Sequence, residues 1–520
     1  MIRDSSDERK RLRNGDSMKV LWLCNIMLPA VAEHFHRESS NKEGWLSGLL
    51  TAVLSHGDSN GIELAVAFPV AERLPYSAEA VGSDTVDAAD RKNVREHHDG
   101  TEACGHRSRL RGICIPCGET YFTAYDFVED TTRPDLYDPA LEQELREICE
   151  DFAPDVVHCF GTEYPHTLAM CRAFPRKDRI LVGIQGLCAV YAKCYFANLP
   201  EEVVNSVTFR DLVKKDTLKL QQEKFARRGE MEIEAIRLAG NVTGRTAWDR
   251  HYTGEWHPGV TYYPMNETLR SNFYTGQWNR EQCIPHSIFL SQGDYPIKGL
   301  HYMLLAMPRI LKQFPDTEVY VAGNSLTAYG TLKEKLKISA YGRYLRKLLK
   351  EGHLENKVHF LGRLSAQQMK EQYLKSHLFV CPSSIENSPN SLGEAMLLGM
   401  PCVSAEVGGI ASIFEGAKDG ILYPGFRVST APDTSRDSVT NVSCITKETD
   451  NNKNNNRHDK NNALENIAKS LADACIQMWS DPVKEQDYCI NARKHAEKNH
   501  DPEQNYKKMV EIYAKICNGV

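Results

Sequence analysis

No run of about eighteen apolar residues occurs in the sequence, which excludes a membrane-spanning helix. An excess of one charge is missing too. With 63 Lys and Arg against 69 Asp and Glu, the net charge is −6, so no global field draws the chain to nucleic acid. A secretory leader is not readable either. Residues 1–16 are charged, and the apolar run behind them, 20–31, is broken by Asn25 and Pro29. No Asp-x-Asp pair stands at the end of an apolar strand run, so no metal and no other cofactor is expected. These absences point to a cytoplasmic globular protein.

Cysteine, by contrast, is plentiful. Sixteen occur, and Cys24, Cys159, Cys381 and Cys402 sit inside apolar runs, as small buried hydrophobes in a reducing compartment do. Cys104, His106, Cys114 and Cys117 include a C-x-x-C pair that could hold zinc, but the halves are closely spaced on a polar segment. Free thiols on an inserted loop are the preferred reading.

At 520 residues, two domains are expected. Short apolar runs alternate with amphipathic stretches, the pattern of parallel strands covered by helices on both faces, an α/β class. Strands are expected at 19–25, 61–68, 154–160, 179–184 and 240–243, and helices at 45–55, 139–151 and 207–239. Residues 70–118 turn polar and lose their period, as an insertion would. The order then repeats, with strands at 287–292, 318–322, 357–362, 378–382 and 401–405. Helices are expected at 300–313, 329–351, 365–376 and 391–399, the third opening on an N-cap at Ser365. Residues 435–462 are asparagine-rich and read as a disordered loop. A helical stretch, 463–480, follows. We therefore divide the chain into lobes 1–270 and 271–483 and helices 484–520 packing back across the lobes. Two such lobes leave a cleft at the carboxyl ends of both sheets, where ligands bind.

The sharpest local pattern is Cys381-Pro-Ser-Ser-Ile-Glu-Asn-Ser-Pro-Asn-Ser-Leu-Gly-Glu-Ala-Met. A strand ends at Pro382, a loop carries Glu386, and a helix is expected from about Ser391 with Glu394 in its first turn. Free amides at that helix start suit a diphosphate. Gly393 allows close backbone approach. A carboxylate such as Glu394 can grip a vicinal diol; its structural alternative is simply to favour the helix dipole.

Glu386 and Glu394, with seven residues between them, resemble the E-x7-E motif of retaining GT-B glycosyltransferases, glycosyltransferase family 4 in particular. The following Gly-Met-Pro-Cys-Val-Ser, Val-Gly-Gly and Asp-Gly-Ile-Leu-Tyr-Pro are similar to that family in order, and the likeness extends over nearly the whole chain. The resemblance implies two Rossmann-like lobes, the first on the acceptor side and the second on the nucleotide-sugar side. It implies that Glu394 binds ribose, that Glu386 holds the donor sugar, and that backbone at Asn390, Ser391 and Leu392 meets sugar and phosphates. Lys298 would neutralise the diphosphate, as an ammonium can; an ordinary solvated lysine is its alternative. Gly362 and Arg363 would lie near the base.

The chain departs from that family in three places. Gln292 stands where a phosphate-binding arginine is usual, leaving more of the charge to Lys298. Ser412 replaces a frequent glutamate. The usual first-lobe histidine has no match in the loop holding Phe160, Thr162 and Glu163, and His158 reads as a core residue of its strand. Other first-lobe candidates are Gly44, which would approach the transferred group or simply turn the chain, and Trp45, which would stack on an acceptor or pack. Gln185, at a strand end, and Arg245 complete them.

Basic stretches 214–228 and 333–350 read as solvated helix faces, with peripheral contact to the inner face of an anionic membrane as the alternative. The expected reaction moves a sugar from a nucleotide sugar to a saccharide or lipid-linked acceptor, in cell-surface polysaccharide or glycolipid synthesis. A glycosidase pair fits less well, because both carboxylates flank a phosphate-binding helix start. The rival readings are a non-hydrolysing nucleotide-sugar epimerase and a non-catalytic nucleotide-sugar-binding protein. Donor, base, acceptor, linkage and oligomeric state are not legible.

Overall fold

A computed structural model describes residues 17–38, 44–56, 61–74, 112–118, 120–328, 330–426 and 453–519, with side chains of the last segment from 462. Its strands build two sheets. The first holds β1 (Met18–Leu23), β2 (Ile62–Val70), β3 (Ile113–Cys117), β4 (Thr120–Val128), β5 (Val156–Phe160), β6 (Ile180–Gly183), β7 (Asn241–Gly244) and β8 (Thr261–Pro264). The second holds β9 (Ile284–Leu290), β10 (Glu318–Ala322), β11 (Val358–Gly362), β12 (Ser376–Cys381), β13 (Cys402–Glu406) and β14 (Ile421–Pro424).

Every residue of β5 and of β12 is buried, because helices cover both faces of each sheet. The first sheet runs β3-β4-β2-β1-β5-β6-β7-β8, parallel except for the β3–β4 pair. The second runs β11-β10-β9-β12-β13-β14, all parallel. In each sheet the chain starts in the middle, works to one edge, and returns to the other side of its first strand. The reversal falls between β1 and β5, and again between β9 and β12. Ligands of open α/β sheets bind at such reversals.

Several sequence expectations change. Residues 113–117, placed in a polar insertion, form β3, because Ile113 and Ile115 face β4 in antiparallel register. β4, β8 and β14 had not been expected as strands. The helical stretch 207–239 is two helices, Phe209–Lys214 and Leu218–Leu238, separated at Lys215, whose backbone is left-handed. Likewise 329–351 divides into Leu332–Lys337 and Ala340–Glu351. The helix expected over 463–480 begins earlier, at Lys453, inside the asparagine-rich run. The remainder of the two irregular stretches, 75–111 and 435–452, lies outside the described residues, as do Cys104 and His106.

The last described helix, Pro502–Asn518, returns to the first lobe. Its apolar face, including Met509, Ile512 and Ile516, joins the core formed by Val20, Trp22 and Leu46. Tyr513 accepts a hydrogen bond from the Trp22 indole at 3.0 Å, and its hydroxyl lies 2.7 Å from His158 Nδ1. His158 is wholly buried in β5, and burial holds its pKa down to about 3. No described helix is long and apolar enough to cross a membrane.

Candidate functional site

Lys298 and Glu386 stand at the two strand ends that flank the second reversal. A short turn, Pro296–Lys298, follows β9 and ends on Gly299, whose φ is +72°. A Cβ there would collide with the carbonyl oxygen of Pro382, just beyond β12. Glycine is therefore required for the two loops to touch. Ser384 N–H donates to the Ile297 carbonyl at 2.8 Å and holds them together. On the other side, Gly409 N–H donates to the Glu386 carbonyl at 2.9 Å.

This packing brings Lys298 Nζ to 2.6 Å from Glu386 Oε1, which also accepts from Ser383 Oγ at 2.8 Å. Burial disfavours the Lys298 ammonium, but the Glu386 carboxylate and the Tyr295 hydroxyl outweigh it and hold its pKa above the ordinary lysine value. The lysine is firmly charged.

The helix after Glu386 runs Asn390–Leu397, with Pro389 at its N-cap and no side-chain cap. Glu394 is thus its fifth residue, in the second turn and not the first, because the helix starts one residue earlier than expected. Its carboxylate is buried and pairs bidentately with Arg270: Nε to Oε1 and Nη2 to Oε2, both at 2.7 Å. Burial raises the Glu394 pKa, with Arg270 opposing. The Leu392 amide turns back to the Pro389 carbonyl at 3.0 Å, and its side chain is fully buried. Leu392 therefore offers a ligand nothing, leaving the amides of Asn390 and Ser391 at the helix start.

A cleft of about 270 Å³ opens here. Of the residues singled out from sequence, it gathers Gly44 and Trp45 from the first lobe and Gln292, Lys298, Glu386, Asn390, Ser391 and Glu394 from the second. Trp45 also packs 5.6 Å from the Phe160 ring, so most of its surface is spent in the core.

Six others do not line the cleft. Gly362 and Arg363 follow β11, the edge strand two places from β9; Arg363 is exposed and faces Asp294 electrostatically. Arg245 is committed to Glu267 Oε2 at 2.8 Å and to Asn390 Oδ1 at 2.9 Å, and Gln185 Nε2 donates to Glu267 Oε1 at 2.6 Å. Both belong to a seam that binds the lobes together. Glu163 lies beyond β5 with Oε2 buried and unpartnered, and burial raises its pKa. Leu392 is the sixth.

The seam has further members. Thr246 Oγ1 donates to Asn387 Oδ1 at 2.6 Å, and Asn387 N–H donates to the Tyr191 hydroxyl at 3.2 Å. Ser412 Oγ accepts from Ala247 N–H at 3.1 Å, so the serine at the glutamate position is a contact between lobes. The first lobe therefore grips the loop between Glu386 and Asn390 directly.

Sequence reasoning missed Arg270 and Ser383. Ser383 stood inside the quoted motif. Arg270 lies in the irregular segment joining the lobes, where only tertiary placement reveals its partner. Among the described residues no group of three His, Cys, Asp or Glu side chains could hold a metal ion.

Residues 286–459 match the family model described as glycosyl transferases group 1. An uncharacterized glycosyltransferase of Methanocaldococcus jannaschii is 30% identical over 128 residues, 24% of this chain and 29% of that protein. The amylovoran biosynthesis glycosyltransferase AmsK of Erwinia amylovora is 31% identical over 133 residues, with the same coverage of 24% and 29%. The chain thus matches less than a third of the length of either relative. Over nearly the whole chain the structure is similar to sucrose-phosphate synthase of Thermosynechococcus elongatus, with TM-score 0.57, 13% identity, and coverage of 97% of this chain and 100% of that one. Anabaena HepE, solved in complex with UDP-glucose, gives TM-score 0.54 at 14% identity, with 96% and 100% covered. At those identities the likeness is one of fold. The chain has the GT-B fold, and the family match lies within its second lobe, over residues 286–459.

Proposed function

We propose that the protein is a retaining glycosyltransferase that takes a sugar from a nucleotide-diphosphate donor. The observation that carries this reading is the Lys298–Glu386 pair at the β9/β12 reversal, beside an uncapped helix start. The lysine keeps two of its three N–H donors beyond the one aimed at Glu386, and they can meet the leaving phosphate. Amides of Asn390 and Ser391 add partial positive charge there. Glu386 holds sugar hydroxyls, and Glu394 holds the ribose diol while sharing its oxygens with Arg270.

On this reading the bond from the anomeric carbon to the phosphate oxygen breaks, and a bond from that carbon to the acceptor oxygen forms on the same face. The departing phosphate takes the acceptor's proton. Charge on the diphosphate is met by Lys298, Arg270 and helix amides, without a metal. A uridine diphosphate sugar is the first donor to try, given the ligand of Anabaena HepE. A polysaccharide or lipid-linked saccharide is the acceptor class suggested by the AmsK likeness. The setting is the cytoplasm.

The test is nucleotide release from a donor panel by the purified chain, with and without saccharide or envelope-lipid acceptors. Release that depends on acceptor, with the product anomer matching the donor by NMR, supports the proposal. Turnover of the donor alone to an epimer, or no donor-dependent rise in melting temperature, overturns it.

A further inference from the structure

Exposed apolar side chains are unevenly spread over this molecule. Of eleven large hydrophobic residues exposed among the described ones, six fall in two short segments: Val207, Phe209, Leu212 and Val213 of the first lobe, and Leu332 and Leu336 of the second. Leu332 is 74% exposed, Leu212 66% and Phe209 61%. The two segments meet. Helices Phe209–Lys214 and Leu332–Lys337 touch across the lobe boundary, and Asp211 Oδ2 accepts from Ala340 N–H at 3.0 Å. They form one face.

Positive charge predominates on that face: its exposed charged side chains are lysines, with the half-exposed Glu334 carboxylate among them. Each helix opens on a threonine capping box, which engages Asp211 with Thr208 and Glu334 with Thr331. Asp211 is buried and also meets Arg210 at 3.1 Å. Lys214, Lys215, Lys333, Lys335 and Lys337 are all exposed around the apolar group. A merely solvated helix would turn its leucines inward, yet no residue of Leu332–Lys337 is buried. The cores of protein–protein interfaces are poor in lysine. Lysines ringing leucine, valine and phenylalanine instead suit a lipid surface, where stems lie along apolar groups and ammonium heads reach phosphates.

We propose that this paired-helix face docks on an anionic lipid bilayer. The six apolar side chains enter the headgroup boundary, and the five lysines meet lipid phosphates. A cavity of about 290 Å³ is lined by both helices and by Tyr295, whose ring lies 5.8 Å from the Lys298 ammonium. Docking face and cleft are therefore neighbours. The proposal does not depend on the reaction assigned to the cleft.

The experiment is sedimentation of the full chain with vesicles of phosphatidylcholine, alone or mixed with phosphatidylglycerol, at low and raised salt. Binding is expected to the anionic vesicles only and to weaken with salt. The triple variant Lys333→Glu, Lys335→Glu, Lys337→Glu should lose about a hundredfold in affinity. Phe209→Ser with Leu212→Ser and Leu332→Ser should lose at least tenfold, roughly the yield of a few exposed apolar contacts. Unchanged melting temperatures keep the two results from being unfolding. No binding of the unaltered chain at low salt, or binding indifferent to both triples, would overturn the proposal. So would a dimer by light scattering that the serine triple dissociates, with no vesicle binding.

Discussion

Arg270 holds Glu394 with two parallel hydrogen bonds of 2.7 Å across 124 residues of sequence. The arginine comes from the segment between the lobes and the acid from the second lobe, so the crossing chain is fastened to the floor of the cleft. A Cβ on Gly44 would also run into the Arg270 stem, which shows how closely the first lobe rests on it. A nucleotide that uses Glu394 must share it with this guanidinium.

Removing that guanidinium leaves a buried acid with no cation to offset its burial. Arg270→Ala should lower stability by about 3 kcal/mol, in the range for breaking a buried ion pair from one side. Thermal or urea unfolding measures it. Glu394→Gln, which keeps an acceptor, should cost less.

The two acids of the cleft should separate kinetically. Glu394→Ala is expected to weaken nucleotide binding, read as a smaller ligand-induced rise in melting temperature. Glu386→Ala should lower turnover more than affinity. Lys298→Ala should lower kcat/KM by about two to three orders of magnitude, since it removes the charge nearest the leaving group. Unaltered turnover in both acid variants would contradict the assigned roles.

Gly299 tests the loop packing that joins the pair. Gly299→Ala meets both a φ of +72° and the Pro382 carbonyl. A loss of about 2 kcal/mol or more is expected, with turnover falling as Lys298 is displaced. Gly118, also left-handed at φ +63° but with open space around it, is the control. Its alanine variant should cost about 1 kcal/mol.

Burial of Glu232 pushes its pKa up to about 8, while hydrogen bonds from Ala189 N–H, Thr162 Oγ1 and Cys188 N–H oppose the shift. Its folded pKa is above the unfolded one, so the native state binds more protons between the two. Stability from this group therefore falls as pH rises from about 4.5 to about 8. Chemical unfolding of the unaltered chain and of Glu232→Gln across that window should show this component of slope in the first and not in the second.

Activity should survive chelation. If lysine, arginine and helix amides carry the diphosphate charge, EDTA should change turnover less than about twofold. A tenfold loss restored by a divalent ion would refute the metal-free reading.

Much of the second lobe was readable because its strands are short apolar runs ending in turn residues. β12, Ser376–Cys381, is one, and the glycines after it mark where loops must approach. Glu386, Glu394 and Lys298 were readable for the same reason: each follows a recognisable strand end. β4 was not, since Thr, Tyr and Asp interrupt its apolar residues, and its strand character comes from pairing with β2 and β3. Gly362 and Arg363 show a different limit. Their strand was placed correctly, but strand order within a sheet is a tertiary property, and the edge position of β11 takes them away from the reversal. Arg245 and Gln185 do face the other lobe, yet Glu267 absorbs them, a partner that nothing local announces.

The helix bearing Tyr513 follows both sheets in the chain, so it is made long after β1 and β5. Until it arrives, the indole of Trp22 and the imidazole of His158 have no shared hydroxyl, and the strip beneath Met509 and Ile512 faces water. The first lobe thus completes its core only after the second sheet has been synthesised, and its maturation is tied to the arrival of the helix Pro502–Asn518.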